Sequence, residues 1–456
     1  NQSEARDTIK YISKVIEYSK NLKLVLLTAN PMFNVSTEII WILNMLLLND
    51  NRTPISGNVF GDDGDLTTEG MQLIKEKSKG YISYLRGENH ISFPIRLYPD
   101  HNPENIINKN NSPYINLFLN EINEEDKLSF LELYSSNLSG LQRDIYQAEF
   151  IKYKDFKNLQ IQQENKLLQL SNIVFPSGDY GEEGLFESFN LNMKGKNTPQ
   201  YEYKDDIEFL NFDLIGDYSC KIKSILNTIS KSKGIVFIYT NWIKSGIIPL
   251  VLALEQNGYL KYNDSEILKS KNKRQPVSYS PDPRDPFKPA KYMVIAGGQE
   301  NLTHNLKQEL EILTDPDNTN GELIKIVIGS KVASEGLDFK CIRSIHILEP
   351  WHNINKIEQV IGRGIRNCSH TLLDSEERNV TIYLHNSFFT KEIETIDTYL
   401  YRYSEKKAKQ IGQIENILKK NAIDKYLFQN VNFLSKENSE SFYLKPAHID
   451  SEEFLY

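Results

Sequence analysis

Two arginines three residues apart, Arg363 and Arg366, stand in the segment QVIGRGIRNCSH, residues 359–370. A spacing of three places both on one face of a helix. Each guanidinium is a planar, permanently charged fork of donors, a shape that suits phosphate oxygens. In phosphoryl transfer such an arginine stabilises transition-state charge and is worth about 10³–10⁵ in rate. Alone, the pair reads first as surface ion pairs on an amphipathic helix. The segments SKVASEGLDF (330–339) and EPW (349–351) change the weighing, because each follows a β-branched run. In a parallel sheet that is where working groups gather. The turn Tyr239-Thr240-Asn241 closes another such run, although Asn241 could simply cap the next helix. Trp351 reads as core packing. The eight histidines show no metal-ligand spacing, and no Ser/His/Asp set or carboxylate pair emerges.

The elements that must position these groups follow from hydrophobic periodicity. Lys23 to Leu27 (KLVLL) predicts a buried strand, with helices over Thr8 to Ser19 and Thr37 to Leu48 on either side. Further strands are predicted at Gly234 to Tyr239, Tyr292 to Ala296, Ile324 to Ile328, Ser344 to Leu348 and Val380 to Leu384. Helices at Ser245 to Gln256, Leu302 to Leu313 and Asn355 to Arg366 alternate with them. Alternation of this kind implies an α/β fold, a parallel sheet with helices on both faces. GYISYL (80–85) reads as strand-like, and Tyr146 to Leu170 as a polar helix. Tyr262 to Lys291 carries five prolines, too many for regular structure, and seven cations against four acids. That basic segment could be a mobile loop on phosphates or a partner, or a solvated insertion. Lys391 to Val431 reads as one or two charged helices.

The chain has 456 residues, 39% hydrophobic and 25% charged, enough for about three domains. Global disorder and a disulfide-stapled miniprotein are thereby excluded. The longest apolar run, Ile39 to Leu48, is about half a membrane span and contains Asn44. Three scattered cysteines give no zinc spacing and no disulfide framework, which favours a reducing compartment. A net charge of −8 argues against coating nucleic acid wholesale but leaves room for a local basic groove. The chain opens Asn-Gln-Ser-Glu, with no apolar signal core, and reads as beginning in mid-domain; secretion is not expected.

Taken in order, LLTANP (26–31), GIVFIYTN (234–241), SKVASEGLDF and QVIGRGIR resemble motifs III, IV, V and VI of superfamily 2 helicases and translocases. TANPMFN with EIIWILNMLLLND, the segment GYISYLRGENHISFPIRLYP, EPWHNINKIEQVIGRGIRNCSH and ILKKNAID narrow the likeness to the DNA-dependent ATPases of large nucleocytoplasmic DNA viruses. That group includes the poxvirus nucleoside triphosphate phosphohydrolase and the small subunit of the early transcription factor.

The resemblance implies RecA-like parallel sheets: the end of a first RecA-like domain at 1–55, an inserted domain at 56–205, a complete second RecA-like domain at 206–390 and a helical tail at 391–456. Arg363 and Arg366, with Gln359 beside them, would meet the γ-phosphate of ATP. Asp338 would approach the ribose, with Gly336 and Gly362 permitting close approach of the backbone. Ser330, Tyr239, Thr240 and Asn241 would hold phosphates of the tracked strand. Thr28, Ala29 and Asn30 would couple the domains, although Asn30 stands where the motif usually has Thr or Ser. No GxxxxGK[ST] phosphate loop and no DEAH-like acidic box occurs in the sequence, so the Mg²⁺ ligands are expected upstream. The chain is then the back half of a longer protein, a split-gene product or a degenerate subunit. Implied partners are nucleic acid (DNA before RNA), a viral-type RNA polymerase or transcription factor, and an N-terminal RecA-like half. No membrane is implied, and the expected location is the host cytoplasm, in viral factories, or the virion. Two alternatives stay open: a transcription-initiation ATPase subunit with little unwinding, and a non-catalytic helicase-like scaffold.

Overall fold

The computed structural model describes residues 2–85, 92–99, 105–154, 156–194, 198–263, 266–297, 302, 306–334 and 337–427. They form two compact units, Asn1–Glu88 with Lys406–Tyr456, and Asn89–Glu405.

The first unit is helical: α1 (Gln2–Tyr18), α2 (Glu38–Asn49) and α3 (Thr68–Ser78), joined by the later part of a long C-terminal helix. Ile39, Leu43 and Leu47 repeat every four residues along α2. They bury against Ile74 of α3 and Ile411, Ile414 and Leu418 of the C-terminal helix. Asn44, the polar break in the apolar run, clips the incoming chain: its Nδ2 donates to the Ile55 carbonyl at 3.3 Å and its Oδ1 accepts the Ile55 N–H at 2.6 Å. The strand expected at Lys23 to Leu27 does not form. Val25 is 76% and Leu27 93% exposed, and no strand lies alongside among the described residues of this unit. A strand without a neighbour leaves its amides to water, whatever its propensity. Tyr81–Leu85 is not a strand either, for the same reason.

The second unit is built on one large sheet. Its strands are β1 (Ile95–Leu97), β2 (Ile106–Ile107), β3 (Leu133–Asn137), β6 (Ile235–Tyr239), β7 (Leu260–Lys261), β9 (Lys291–Ile295), β10 (Ile326–Gly329), β11 (Ile342–Ile347) and β12 (Asn379–Phe388). A side sheet holds β4 (Phe189–Lys194), β5 (Thr198–Tyr203) and β8 (Leu268–Lys269). The large sheet runs β2-β3-β12-β11-β6-β10-β9-β7, with β1 also on β12, and every pairing in it is parallel except β2–β3. Helices α4 (Gly140–Phe150), α5 (Ile161–Asn172), α6 (Gly181–Ser188), α7 (Cys220–Ile229), α8 (Ile248–Gln256), α9 (Leu306–Leu313), α10 (Ile354–Gly364) and the start of α11 (Ile396–Asn421) complete the unit.

Strand alternation produces two cores. Val236, Ile238, Ile326, Ile328, Tyr292 and Val294 point to the face covered by α7 and α8. Their neighbours Phe237, Val327 and Met293 point to the opposite face, with Ile357, Val360 and Ile361 of α10. Both faces are buried, so the strands read as continuous apolar runs rather than alternating ones.

The domain boundaries differ from those expected. Residues 56–88 pack with 1–55, and residues 89–205 belong with 206–405. The cause is pairing: β1 and β3 both add to β12, while Phe175, Leu185, Phe189 and Tyr201 lie in the same core as the central strands. In the segment expected as a helical tail, α11 begins at Ile396, and Ile396 and Leu400 bury against α4 and α5. The polar helix expected over Tyr146 to Leu170 is two helices, α4 and α5.

Candidate functional site

The chain orders register along the parallel sheet so that β6, β10 and β11 end together: Tyr239 lies opposite both Gly329 and Ile347. The chain then continues the ladder beyond the strands. Thr240 N–H donates to the Gly329 carbonyl at 3.1 Å, Leu348 N–H to the Tyr239 carbonyl at 3.0 Å, and Ser330 N–H to the Ile295 carbonyl at 3.0 Å. Tyr239, Thr240, Asn241 and Ser330 therefore meet at the carboxyl edge, where open parallel sheets bind ligands. Thr240 departs from its expected role. It is fully buried, and its hydroxyl donates inward to Glu349 at 3.0–3.1 Å, so it shapes the turn instead of touching a strand. Gly246 makes this possible, since a Cβ there would collide with the Thr240 hydroxyl. Ser330 is also buried, 5% exposed.

Glu349, first residue of the EPW segment, is the anchor that sequence reasoning missed. It is 2% exposed and accepts the Asn241 backbone N–H, the Thr240 hydroxyl and Asn172 Nδ2 (3.1 Å). Burial raises its pKa, while the Asn241 N–H, Lys221, Asn172 and Thr240 act in the opposite direction. Asn172 Oδ1 in turn accepts from Lys221 Nζ at 3.2 Å. Lys221 ion-pairs with Asp397 at 2.8 Å, both with no side-chain exposure. Asp397 also accepts from Ser171 Oγ at 2.5 Å and from Ser387 N–H and Oγ at 2.9 Å. The turn is thus tied through buried polar groups to α5, α7, β12 and α11. The available signal was an acid placed between the apolar pair Ile347-Leu348 and Pro350, where an unpaired charge would be costly.

The second cluster lies at the other end of α10. Asn353 caps that helix, its side chain accepting the Lys356 N–H at 3.0 Å. Gly364 ends it flat against β11, where a Cβ would stand 2.9 Å from Ile345 Cδ1. At Ile365 the backbone is already extended (φ −109°, ψ 93°). Arg366 is therefore beyond the helix and does not share a helical face with Arg363 as the spacing suggested. It still returns to the helix end, because its Nε donates to the Gly362 carbonyl at 3.1 Å and its guanidinium ion-pairs with Asp338. Arg363 Nη1 donates to the Leu337 carbonyl at 3.3 Å. Both arginines are partly exposed, Gln359 is exposed on α10, and a Cβ at Gly362 would meet nothing within 4 Å. The Arg366–Asp338 pair is partly exposed, and an exposed ion pair is worth about 0–1 kcal/mol, so that guanidinium can be redirected to a phosphate at modest cost. His370 belongs to the support: buried, its Nε2–H donates to the Ile342 carbonyl at 2.7 Å while Nδ1 accepts from Ser369 Oγ at 2.8 Å.

Gly336 lies outside the described residues. Thr28, Ala29 and Asn30 lie in the first unit, exposed, with Asn30 N–H donating to Thr28 Oγ1 at 3.1 Å. Among the described residues no group of three or more His, Cys, Asp or Glu side chains converges as metal ligands. No helix among the described residues is long and apolar enough to cross a membrane.

The basic segment is not a free cationic loop. Lys269 pairs with Glu202 (2.8 Å), Lys273 with Glu266 (2.7 Å), Arg274 with Asp213 (3.1 Å) and Arg284 with Asp282 (2.5 Å). Its beginning is structural, with β8 on β5 and the Ile267 and Leu268 amides donating to buried Glu255.

Parts of the chain are similar to known proteins. The model of the helicase conserved C-terminal domain matches residues 298–368. A protein of Acanthamoeba polyphaga mimivirus named as an ATP-dependent RNA helicase is 26% identical over 93% of this chain and 40% of its own length. One of Invertebrate iridescent virus 3, named as a helicase, is 29% identical over 91% of this chain and 37% of its own length. The early transcription factor large subunit homolog of African swine fever virus is 31% identical over 51% of this chain and 20% of its own length. The chain spans about 40% or less of each of these relatives.

Proposed function

From the chain's kinship with the superfamily 2 helicases of large DNA viruses, we propose that it is the motif III–VI part of an ATP-dependent helicase or translocase acting on nucleic acid in viral-type transcription. One observation carries this reading. A single helix, α10, has a strand-end turn with Asn241 at its start and the arginines Arg363 and Arg366 at its end, in the motif order of that superfamily.

In this reading Arg363 and Arg366 reach the γ-phosphate of an ATP held by a phosphate-loop half, with Gln359 and Gly362 alongside. Asp338 holds the Arg366 guanidinium ready and lies toward the ribose. Asn241 and the backbone around Tyr239 and Ser330 contact phosphates of one strand, which positions the strand without reading its sequence. Thr28 to Asn30 couple nucleotide state to movement. The relatives named as helicases and as an early transcription factor homolog support nucleic acid as partner; DNA as the strand and a transcription complex as the setting are part of the proposal.

The test is ATP turnover by the protein that joins this chain to its phosphate-loop half, with single-stranded DNA, duplex DNA or RNA as stimulant. Stimulation by a strand, DNA above RNA, is expected. Equal turnover with and without every nucleic acid would overturn the reading and favour a scaffold.

A further inference from the structure

Lys356 lies outside the segments matched to motifs III to VI, yet it stands between the two clusters. It lies in the first turn of α10, where Asn353 caps its backbone N–H. Its ammonium sits 3.3 Å from the centroid of the Trp351 ring and donates to Asn241 Oδ1 at 3.2 Å. Asn241 Oδ1 accepts a second hydrogen bond from the Tyr239 hydroxyl at 3.0 Å. Tyr239, Asn241, Glu349, Trp351 and Lys356 line a small cavity at the carboxyl edge of the sheet.

These contacts fix the orientation of one amide. With its oxygen held by two donors and its backbone N–H held by Glu349, Asn241 can present only its Nδ2 outward. Among the described residues no partner takes that nitrogen, and it is not sealed from solvent. An outward N–H₂ is a donor, the polarity a phosphodiester oxygen requires. An ammonium over an indole face is held by cation–π attraction, so Lys356 is pre-set and need not be ordered on binding. Lys356 and Arg363 are seven residues apart on one helix, about 10 Å at 1.5 Å per residue. A shift of α10 that follows Arg363 toward a nucleotide must also move the group that orients Asn241.

We propose that Lys356 is the positioning residue that turns the amide donor of Asn241 toward the strand phosphate and, through α10, links that grip to Arg363. The inference rests on the function proposed above, and the experiment separates the two. Binding of fluorescein-labelled oligo-thymidine to this chain is measured by anisotropy, and strand-stimulated ATP turnover is measured in the protein joined to its phosphate-loop half. Lys356→Met keeps a stem on Trp351 but removes charge and donor. It is expected to raise the strand Kd about tenfold and to lower maximal stimulation. Lys356→Arg, which can still stack and donate, is expected to keep most of both. Asn241→Asp retains acceptors for Tyr239 and Lys356, so it is expected to melt no lower than the parent, but it presents an acceptor outward and should lose at least tenfold in strand affinity. The double variant Lys356→Met/Asn241→Ala should bind no worse than Asn241→Ala alone. Wild-type stimulation by Lys356→Met, parental affinity in Asn241→Asp, or additive losses in the double variant would each overturn the inference. A parent that neither binds nor is stimulated would instead overturn the function proposed. If Lys356→Met does not fold, Asn241→Asp decides alone.

Discussion

Glu349 accepts the backbone N–H of Asn241 from a position only 2% exposed, and it accepts the Thr240 hydroxyl with the same carboxylate. One buried side chain thereby fixes the whole turn at the carboxyl edge of β6. Lys221 and Asp397 stand behind it, joined through Asn172.

Truncating that anchor should cost stability and strand affinity together. Glu349→Ala strands the Asn241 N–H, the Thr240 hydroxyl and Asn172 Nδ2, at about 1–3 kcal/mol for each donor left buried. Glu349→Gln keeps one acceptor and should lose about half as much. Denaturant unfolding of the two variants checks the order. Equal stability of Glu349→Ala and the parent would mean that the turn holds itself.

The Pro-rich segment should divide into a structural part and a dispensable part. Tyr279 is buried and Leu268 sits in the main core, whereas residues 283–287 are exposed. Removing 269–288 as a whole should abolish the cooperative transition, because it takes Lys269 of β8 and the buried Tyr279 with it. Replacing 283–287 with a short polar link should change stability by no more than about 0.5 kcal/mol, the usual range for surface changes. Thermal melts of both deletions are sufficient, and a fully stable 269–288 deletion would contradict this division.

Sequence reasoning read the central strands well because their signal is local. Ile235–Tyr239 and Ile326–Gly329 are apolar throughout, as strands buried on two faces must be. It failed where the outcome depends on partners far along the chain. Val25 to Leu27 carries the same composition yet pairs with no strand among the described residues of its unit, and β1 and β3 are short strands made by β12. At the site, the arginine segment and the strand-end turn were visible as motifs, and their placement at opposite ends of α10 was not. Spacing put Arg366 on the helix, but the flat packing of Gly364 on Ile345 ends the helix two residues earlier. Lys356 and Glu349 were hidden for another reason: a lone Lys or Glu shows its use only once its neighbours in space are known.

Acid should unfold the sheet unit through its buried histidines. Burial lowers His370 to about 4, while its Nε2–H bond to the Ile342 carbonyl pulls the other way. The unfolded chain takes up this proton near pH 6.5, so the unfolded state binds more protons between 6.5 and 4. The stability this group contributes is complete above pH 6.5 and is lost as pH falls, by about 1.4 kcal/mol per pH unit. Burial lowers His346 to about 3, which adds in the same direction. His370→Gln should flatten the fall by about one proton in urea titrations at pH 5 and 7. An unchanged pH slope would show that His370 titrates normally in the folded state.

The central claim is that Arg363 and Arg366 serve a nucleotide phosphate and are not merely surface ion pairs. The most direct measurement is kcat and Tm together for Arg363→Ala in the protein carrying both this chain and its phosphate-loop half. Arg363 is partly exposed and makes a long 3.3 Å bond to a carbonyl, so its loss opens no core cavity. The account predicts a Tm within a few degrees of the parent and a kcat lower by at least about 10³, roughly 4 kcal/mol of transition-state stabilisation, with no rescue by Arg363→Lys. Near-normal turnover in Arg363→Ala would contradict it.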